Sequence, residues 1–166
     1  LIMKLAQLGG ADRVALVEPA AGRRQLARQY GADLVLDPAD EIHGPIMDAT
    51  DGRGADVVFE VSGSPMAFAQ ASRLVRKQGR LVIVAVYEVR EVNFQPNRLV
   101  GNEVDVLPSF WANAVDFRRA VSLVASRKLD VRPLISGRVA LDKMQQAFDG
   151  LIADRGSQSK ILVACS

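Results

Sequence analysis

The 166-residue sequence predicts an α/β protein built on a parallel sheet with helices on both faces. Three observations predict it. Four short apolar runs, Arg13–Val17, Asp33–Leu36, Ala55–Val61 and Arg80–Val86, are continuous rather than alternating, which is the pattern of strands covered on both faces. Helical segments separate the runs, as strand–crossover–strand units require. The first run ends on a single acid, Glu18, with a helical segment directly after it. That is how the second strand of a dinucleotide-binding sheet finishes. The fold class is therefore a Rossmann-like, doubly wound parallel sheet.

The elements follow in order. Leu1–Leu8 places residues 1, 5 and 8 on one helical face and reads as the helix that follows a Gly-rich phosphate turn. The first strand and that turn are expected just upstream of it. Ala21–Tyr30 is helical, with Gly31 as a left-handed cap. Asp40–Thr50 is a poorer helix because Gly44-Pro45 interrupts it, and Asp51–Gly54 is a turn. Pro65–Val75 is a helix with Ser64 as N-cap and Pro65 in the first turn.

A link, Tyr87–Asn102, carries a short apolar–polar alternation at Val89–Phe94 and leads to a further strand, Val104–Leu107. The helix Asn113–Arg127 carries the stripe Phe117, Ala120, Val121 and Val124. The helix Asp142–Ala153 carries Met144, Ala147, Phe148 and Leu151, and a strand, Lys160–Ala164, closes the chain. There is no internal repeat, low-complexity tract or Ser/Gly linker, so residues 1–166 are read as one domain.

Composition narrows the function. A 49% hydrophobic content supports one ordinary core. Lys and Arg number 21 against 19 Asp and Glu, with no block of like charge, which argues against a nucleic-acid groove or a polybasic membrane patch. The apolar start is too short to span a bilayer and lacks the layout of a secretory signal. The one cysteine, Cys165, cannot form a disulfide within the chain, which fits a reducing cytoplasm. The one histidine, His43, has no Cys partner nearby and no placed triad partners, so no metal site and no catalytic residue are assigned.

Several residues remain as candidates, each with a plainer alternative. Glu18 is placed to accept from both hydroxyls of an adenosine ribose and to repel the extra phosphate of NADP; as a solvated acid it would favour the dipole of the following helix. Arg23 lies over an adenine or is an exposed helix cation. Gly63, in Ser62-Gly63-Ser64-Pro65, admits a cofactor to the backbone or only serves a strand-to-helix turn. Val84 and Val86 suit one face of a nicotinamide ring, or pack a core. Ser109 and Phe110, beside Trp111 at a strand's C-terminal end, wall a pocket or cover the sheet's end. Lys160 reaches a pyrophosphate or is solvated.

The phrases "ADRVALVEPAAGRRQLARQYGADLVLDP", "DGRGADVVFEVSGSP", "QGRLVIVAVY", "PNRLV" and "PLISGRVALDKMQQAFDGL", in this order and spacing, resemble the zinc-containing medium-chain alcohol dehydrogenase family. The nearest likeness is to its sorbitol, threonine and butanediol dehydrogenase branch, over the cofactor-binding portion. The resemblance implies roles one by one. Glu18 matches the ribose-binding acid, Arg23 the base beside the adenosine, and Gly63 a glycine near the ribose. Val84 and Val86 match positions at the nicotinamide, Ser109 and Phe110 the segment holding its carboxamide, and Lys160 a base near the pyrophosphate. Val89–Phe94 matches an edge that pairs between subunits, so a homodimer or homotetramer is implied.

Two departures stand out. Glu18 is longer than the usual aspartate, and Pro108 replaces a frequent glycine. The resemblance further implies an NAD-dependent enzyme acting on a small-molecule alcohol or polyol, with zinc ligands and proton-relay residues in a preceding catalytic domain. By itself the 166-residue stretch, lacking the Gly-rich turn, is expected to bind NAD poorly or not at all. Rival readings are a zinc-free quinone- or enoyl-type reductase, against which Glu18 argues, and a methyltransferase, against which the helix before the last strand argues. A non-catalytic nucleotide-binding or dimerisation domain is the third.

Overall fold

The computed structural model describes residues 1–89, 91–154, 156 and 158–165. In chain order its elements are α1 (Ile2–Leu8), β1 (Ala15–Val17), α2 (Ala21–Gln29), β2 (Leu34–Leu36), α3 (His43–Ala49), β3 (Ala55–Glu60) and α4 (Pro65–Leu74). Then come β4 (Val75–Ile83), α5 (Pro96–Gly101), β5 (Asp105–Pro108), α6 (Ala114–Ala125), β6 (Ile135–Ala140), α7 (Met144–Ala153) and β7 (Lys160–Ala164). Every strand pairing is parallel: β1 with β2, β4 between β3 and β5, and β6 with β7. The elements fall into two compact units, Leu1–Asp40 with Asn113–Ser166, and Glu41–Ala112.

In the first unit, α2 packs against β1 and β2. It closes as its sequence requires: Gly31 takes φ +81°, its N–H donates to the Arg28 carbonyl at 3.0 Å, and the Ala32 N–H donates to Ala27 at 3.0 Å. The buried Tyr30 donates its hydroxyl to the Asp130 carbonyl at 2.8 Å, and the Lys4 ammonium lies 5.4 Å from its ring centroid. At the start of α6, Asn113 accepts from the Val115 and Asp116 amides while Asp116 accepts from the Asn113 amide, a complete capping box. The stripe of that helix stays exposed, Phe117 at 68% and Val121 at 52%.

In the second unit the core forms where α4 meets the sheet. Phe68 and Ala71 pack on the fully buried Leu81, with Val58, Ile83, Tyr87, Val92 and Val104 around them. Only one face of this sheet is covered by α4. Val57 and Phe59, whose side chains alternate with Val58, remain 39% and 41% exposed, and Leu107 remains 44% exposed. The expectation of strands buried on both faces is therefore corrected for β3 and β5, since within this unit α4 supplies cover to one face alone.

Three further expectations change. β4 begins at Val75, five residues before the predicted Arg80, because the chain turns from α4 straight into extended backbone and Val75 pairs with Ala55. The polar run Arg76-Lys77-Gln78 and the left-handed Gln78 (φ 54°) hide that strand from an apolar-run reading. Gly44-Pro45 does not interrupt α3; both residues lie in its first turn, where a proline forfeits no helical hydrogen bond. Within Val89–Phe94, Arg90 lies outside the described residues, and the described ones form no strand. Val92 packs on the core cluster and the Phe94 ring meets Phe68 edge-on at 5.3 Å. Two elements went unread in the sequence, α5 and β6. Among the described residues no helix is long and apolar enough to cross a membrane.

Candidate functional site

In each unit some of the predicted residues lie at the C-terminal ends of parallel strands, where open α/β sheets bind ligands: Glu18 in the first, and Gly63, Val84, Val86, Ser109 and Phe110 in the second. In the first unit, β1 delivers Glu18, whose amide donates to the Leu36 carbonyl of β2 at 3.1 Å. Its Oε1 accepts from the Ala20 amide at 2.9 Å, which holds the carboxylate beside the start of α2. Oε2 makes no hydrogen bond among the described residues.

Arg24, which the sequence reading passed over for Arg23, fixes this turn. Its Nη1 donates to the Glu18 carbonyl at 2.8 Å and the Pro19 carbonyl at 2.6 Å, and its Nη2 meets Asp37 Oδ2 at 2.8 Å. Arg23 is exposed and lines a cleft of about 290 Å³ that also takes in Ser136 and Ser159. Lys160 is exposed at the start of β7. The Ser136 hydroxyl ties this strand start down, donating to the Lys160 carbonyl at 3.1 Å and accepting from the Ser159 amide at 3.0 Å.

In the second unit, Gly63, Val84, Val86, Ser109 and Phe110 share the C-terminal end of the β3–β4–β5 sheet. Gly63 has φ +70°, and a β-carbon there would lie 2.8 Å from the Val86 carbonyl oxygen, so the two loops touch backbone to backbone. Val84 is half-buried and its amide donates to the Glu60 carbonyl at 2.9 Å; Val86 is 72% exposed. The Ser109 amide donates to the Ile83 carbonyl at 2.8 Å. Phe110 and Trp111 stand 73% and 86% exposed, rings 5.6 Å apart, with Trp111 in left-handed backbone at φ 63°.

The residue that organises this end was not singled out from the sequence. Glu60, 3% exposed, accepts on Oε1 from the Ser62 hydroxyl at 2.6 Å, the Ser62 amide at 2.8 Å and the Gly63 amide at 3.2 Å. On Oε2 it accepts from the Tyr87 hydroxyl at 2.5 Å. Burial alone would raise its pKa; the hydrogen bonds from Ser62, Tyr87 and the turn amides outweigh that and hold it below the usual carboxylate value. The same burial, with the Glu60 carboxylate alongside, pushes the Tyr87 hydroxyl upward. A signal was present: "FEVSG", like "LVEPA", ends an apolar strand on a glutamate before a turn.

The chemistry these groups offer is recognition: a carboxylate at a strand end, exposed bases near a helix start, and apolar walls at a second strand end. Among the described residues no three His, Cys, Asp or Glu side chains are grouped to hold a metal ion.

The family model described as zinc-binding dehydrogenase matches residues 1–126. An L-threonine 3-dehydrogenase of Pyrococcus horikoshii is 32% identical over 87% of this chain and 42% of its own length. The crystal structure of 2R,3R-butanediol dehydrogenase from Bacillus subtilis superposes with TM-score 0.89 at 29% identity, over 99% of this chain and 47% of that one. A zinc-binding dehydrogenase structure from Sinorhizobium meliloti 1021, described as putative and bound to NADP, is 32% identical with TM-score 0.85, over 98% of this chain and 48% of that one. The chain thus spans less than half the length of these relatives.

Proposed function

Since the chain belongs to the zinc-binding dehydrogenase family, we propose that it is the cofactor-binding part of an NAD-dependent, zinc-containing enzyme transferring hydride between a secondary alcohol or polyol and NAD. The observation that carries this reading is Glu18. Its carboxylate sits at a parallel strand's C-terminal end with Oε1 fixed by the Ala20 amide and Oε2 without a hydrogen bond among the described residues, a placement suited to accepting from an adenosine ribose.

Each unit offers residues suited to one part of a dinucleotide. Glu18 accepts from the ribose hydroxyls, and its charge disfavours a 2′-phosphate. Arg24 lies beside it, but its guanidinium is engaged by two carbonyls and Asp37, so it offers no fork to that phosphate. This favours NAD, although a relative binds NADP. Arg23 covers the adenosine and Lys160 neutralises the pyrophosphate. In the other unit, Gly63 lets the cofactor near the backbone, Val84 and Val86 orient the nicotinamide, and the Ser109–Phe110 segment holds its carboxamide. NAD, when bound, accepts or returns the hydride at its nicotinamide.

The described residues do not provide a zinc site, so its ligands are assigned to sequence outside them and no step here runs through the metal. The substrate is a small alcohol or polyol, the assembly a homodimer or homotetramer, and the compartment the cytoplasm.

The test is to express the whole natural reading frame that contains this sequence and assay a panel of secondary alcohols and polyols with NAD and with NADP. Formation of NADH that depends on the alcohol is the expected result. No turnover with any alcohol, or turnover with NADP alone, overturns the reading.

A further inference from the structure

The geometry points to Glu60 and Tyr87 as a pair of positioning residues that set the dinucleotide-facing turn Ser62-Gly63-Ser64 against the loop after β4, an inference that rests on the reading just proposed. Glu60 ends β3 and Tyr87 lies in the loop after β4, at the same end of one sheet, and neither has a part in the roles assigned above.

The argument begins with what each oxygen of Glu60 does. Oε1 gathers the Ser62 amide, the Ser62 hydroxyl and the Gly63 amide, so it shapes the turn after β3. Ser62 passes the order on, its Oγ accepting from the Ser64 amide at 3.1 Å at the entrance to α4. Oε2 accepts from Tyr87, which belongs to the following loop, and it also lies 3.3 Å from the Gly63 amide. The Glu60 carbonyl completes the connection by accepting from Val84 at 2.9 Å and Ala85 at 3.3 Å. One residue therefore ties the turn holding Gly63 to the loop holding Val84 and Val86.

The fit between those loops has little slack. The Gly63 α-carbon faces the Val86 carbonyl so closely that even a methyl group would collide with it. Tyr87 is itself held, its ring edge-on to the buried Phe68 with centroids 6.4 Å apart. Its hydroxyl is thus presented by the core, and Glu60 reads its position. A carboxylate 3% exposed is costly unless its acceptors are filled, and four donors fill them here. Removing one donor leaves the carboxylate in place but free to shift, which alters the turn before it alters the core.

Tyr87→Phe makes that separation, keeping the ring against Phe68 and deleting only the donor. The full product of the natural reading frame is titrated with NAD, and amide exchange is followed at Ser62, Gly63 and the core residue Leu81. The expected result is about tenfold weaker NAD binding, the scale of one hydrogen bond to a charged group, with faster exchange at Ser62 and Gly63 and unchanged exchange at Leu81. Glu60→Gln, which keeps the shape and loses the charge, is expected to act in the same direction. Unchanged NAD affinity in both variants overturns the assignment, as does a loss of affinity matched by loss of protection at Leu81, which would be a purely structural effect. If the unaltered protein fails to bind NAD while Tyr87→Phe still loosens Ser62 and Gly63, the dinucleotide reading falls and the control of the turn stands.

Discussion

Arg24 and Asp37 meet at 2.8 Å between Nη2 and Oδ2, with only 17% and 27% of their side chains exposed. The same guanidinium holds the carbonyls of Glu18 and Pro19, so one side chain joins the end of β1 to the residue that follows β2. Replacing it strands a carboxylate and two carbonyls at once. Arg24→Met is expected to lower stability by about 1–3 kcal/mol in urea unfolding. Arg24→Lys recovers only part of this, because an ammonium reaches Asp37 without the planar fork. Equal stability of Arg24→Met and the unaltered protein would contradict this account of the turn.

Gly63 is where backbone conformation and close approach coincide. Gly63→Ala meets both a φ of +70° and the Val86 carbonyl, and is expected to cost more than about 1 kcal/mol. Gly101→Ala in α5 is the control, since nothing lies within 4 Å of the added methyl and its φ is not positive. Urea midpoints should fall for the first variant and hold or rise for the second.

Acid should weaken the fold through a small set of carboxylates. Glu60 is depressed as described; Asp56 is depressed first by its hydrogen bond from Arg76, and Asp130 to about 2 by its hydrogen bonds from Arg132. A carboxylate whose folded pKa is lowered stabilises fully above its unfolded value and loses that contribution as pH falls through the folded value. The window therefore runs from roughly pH 4, the ordinary carboxylate range, downward. Urea midpoints measured across it should decline, and Glu60→Gln should flatten part of that decline. A slope identical to that of the unaltered protein would remove Glu60 from the account.

The helix α6 buries none of its residues, so its start depends on the capping box. Asn113→Ala should cost about 1 kcal/mol, while Asn113→Asp should be nearly neutral because an acid also caps. Exchange at the Val115 and Asp116 amides reports the change directly.

Much of the alternation of strands and helices was legible because apolar runs and the Gly31 cap act locally. β4 was read five residues short because Arg76–Gln78 carry no apolar signal, and its early pairing with Ala55 is a tertiary choice. β6 was missed because Ser136-Gly137-Arg138 breaks its run, though its side chains alternate in burial once paired with β7. At the site, the strand-end acid Glu18 was legible from its position. Glu60 carried the same signal but was absorbed into the run Ala55–Val61. Arg24 was passed over for Arg23 because neighbouring helix residues differ only in which way they face, and that is decided by what β1 and β2 place beneath them.

The most direct test is an equilibrium titration of the full reading-frame product with NAD and NADP, for the unaltered protein and for Glu18→Ala. The account predicts that NAD binds more tightly than NADP, and that Glu18→Ala weakens NAD by about tenfold while improving NADP. Failure of NAD to bind, or a preference indifferent to Glu18, would contradict it.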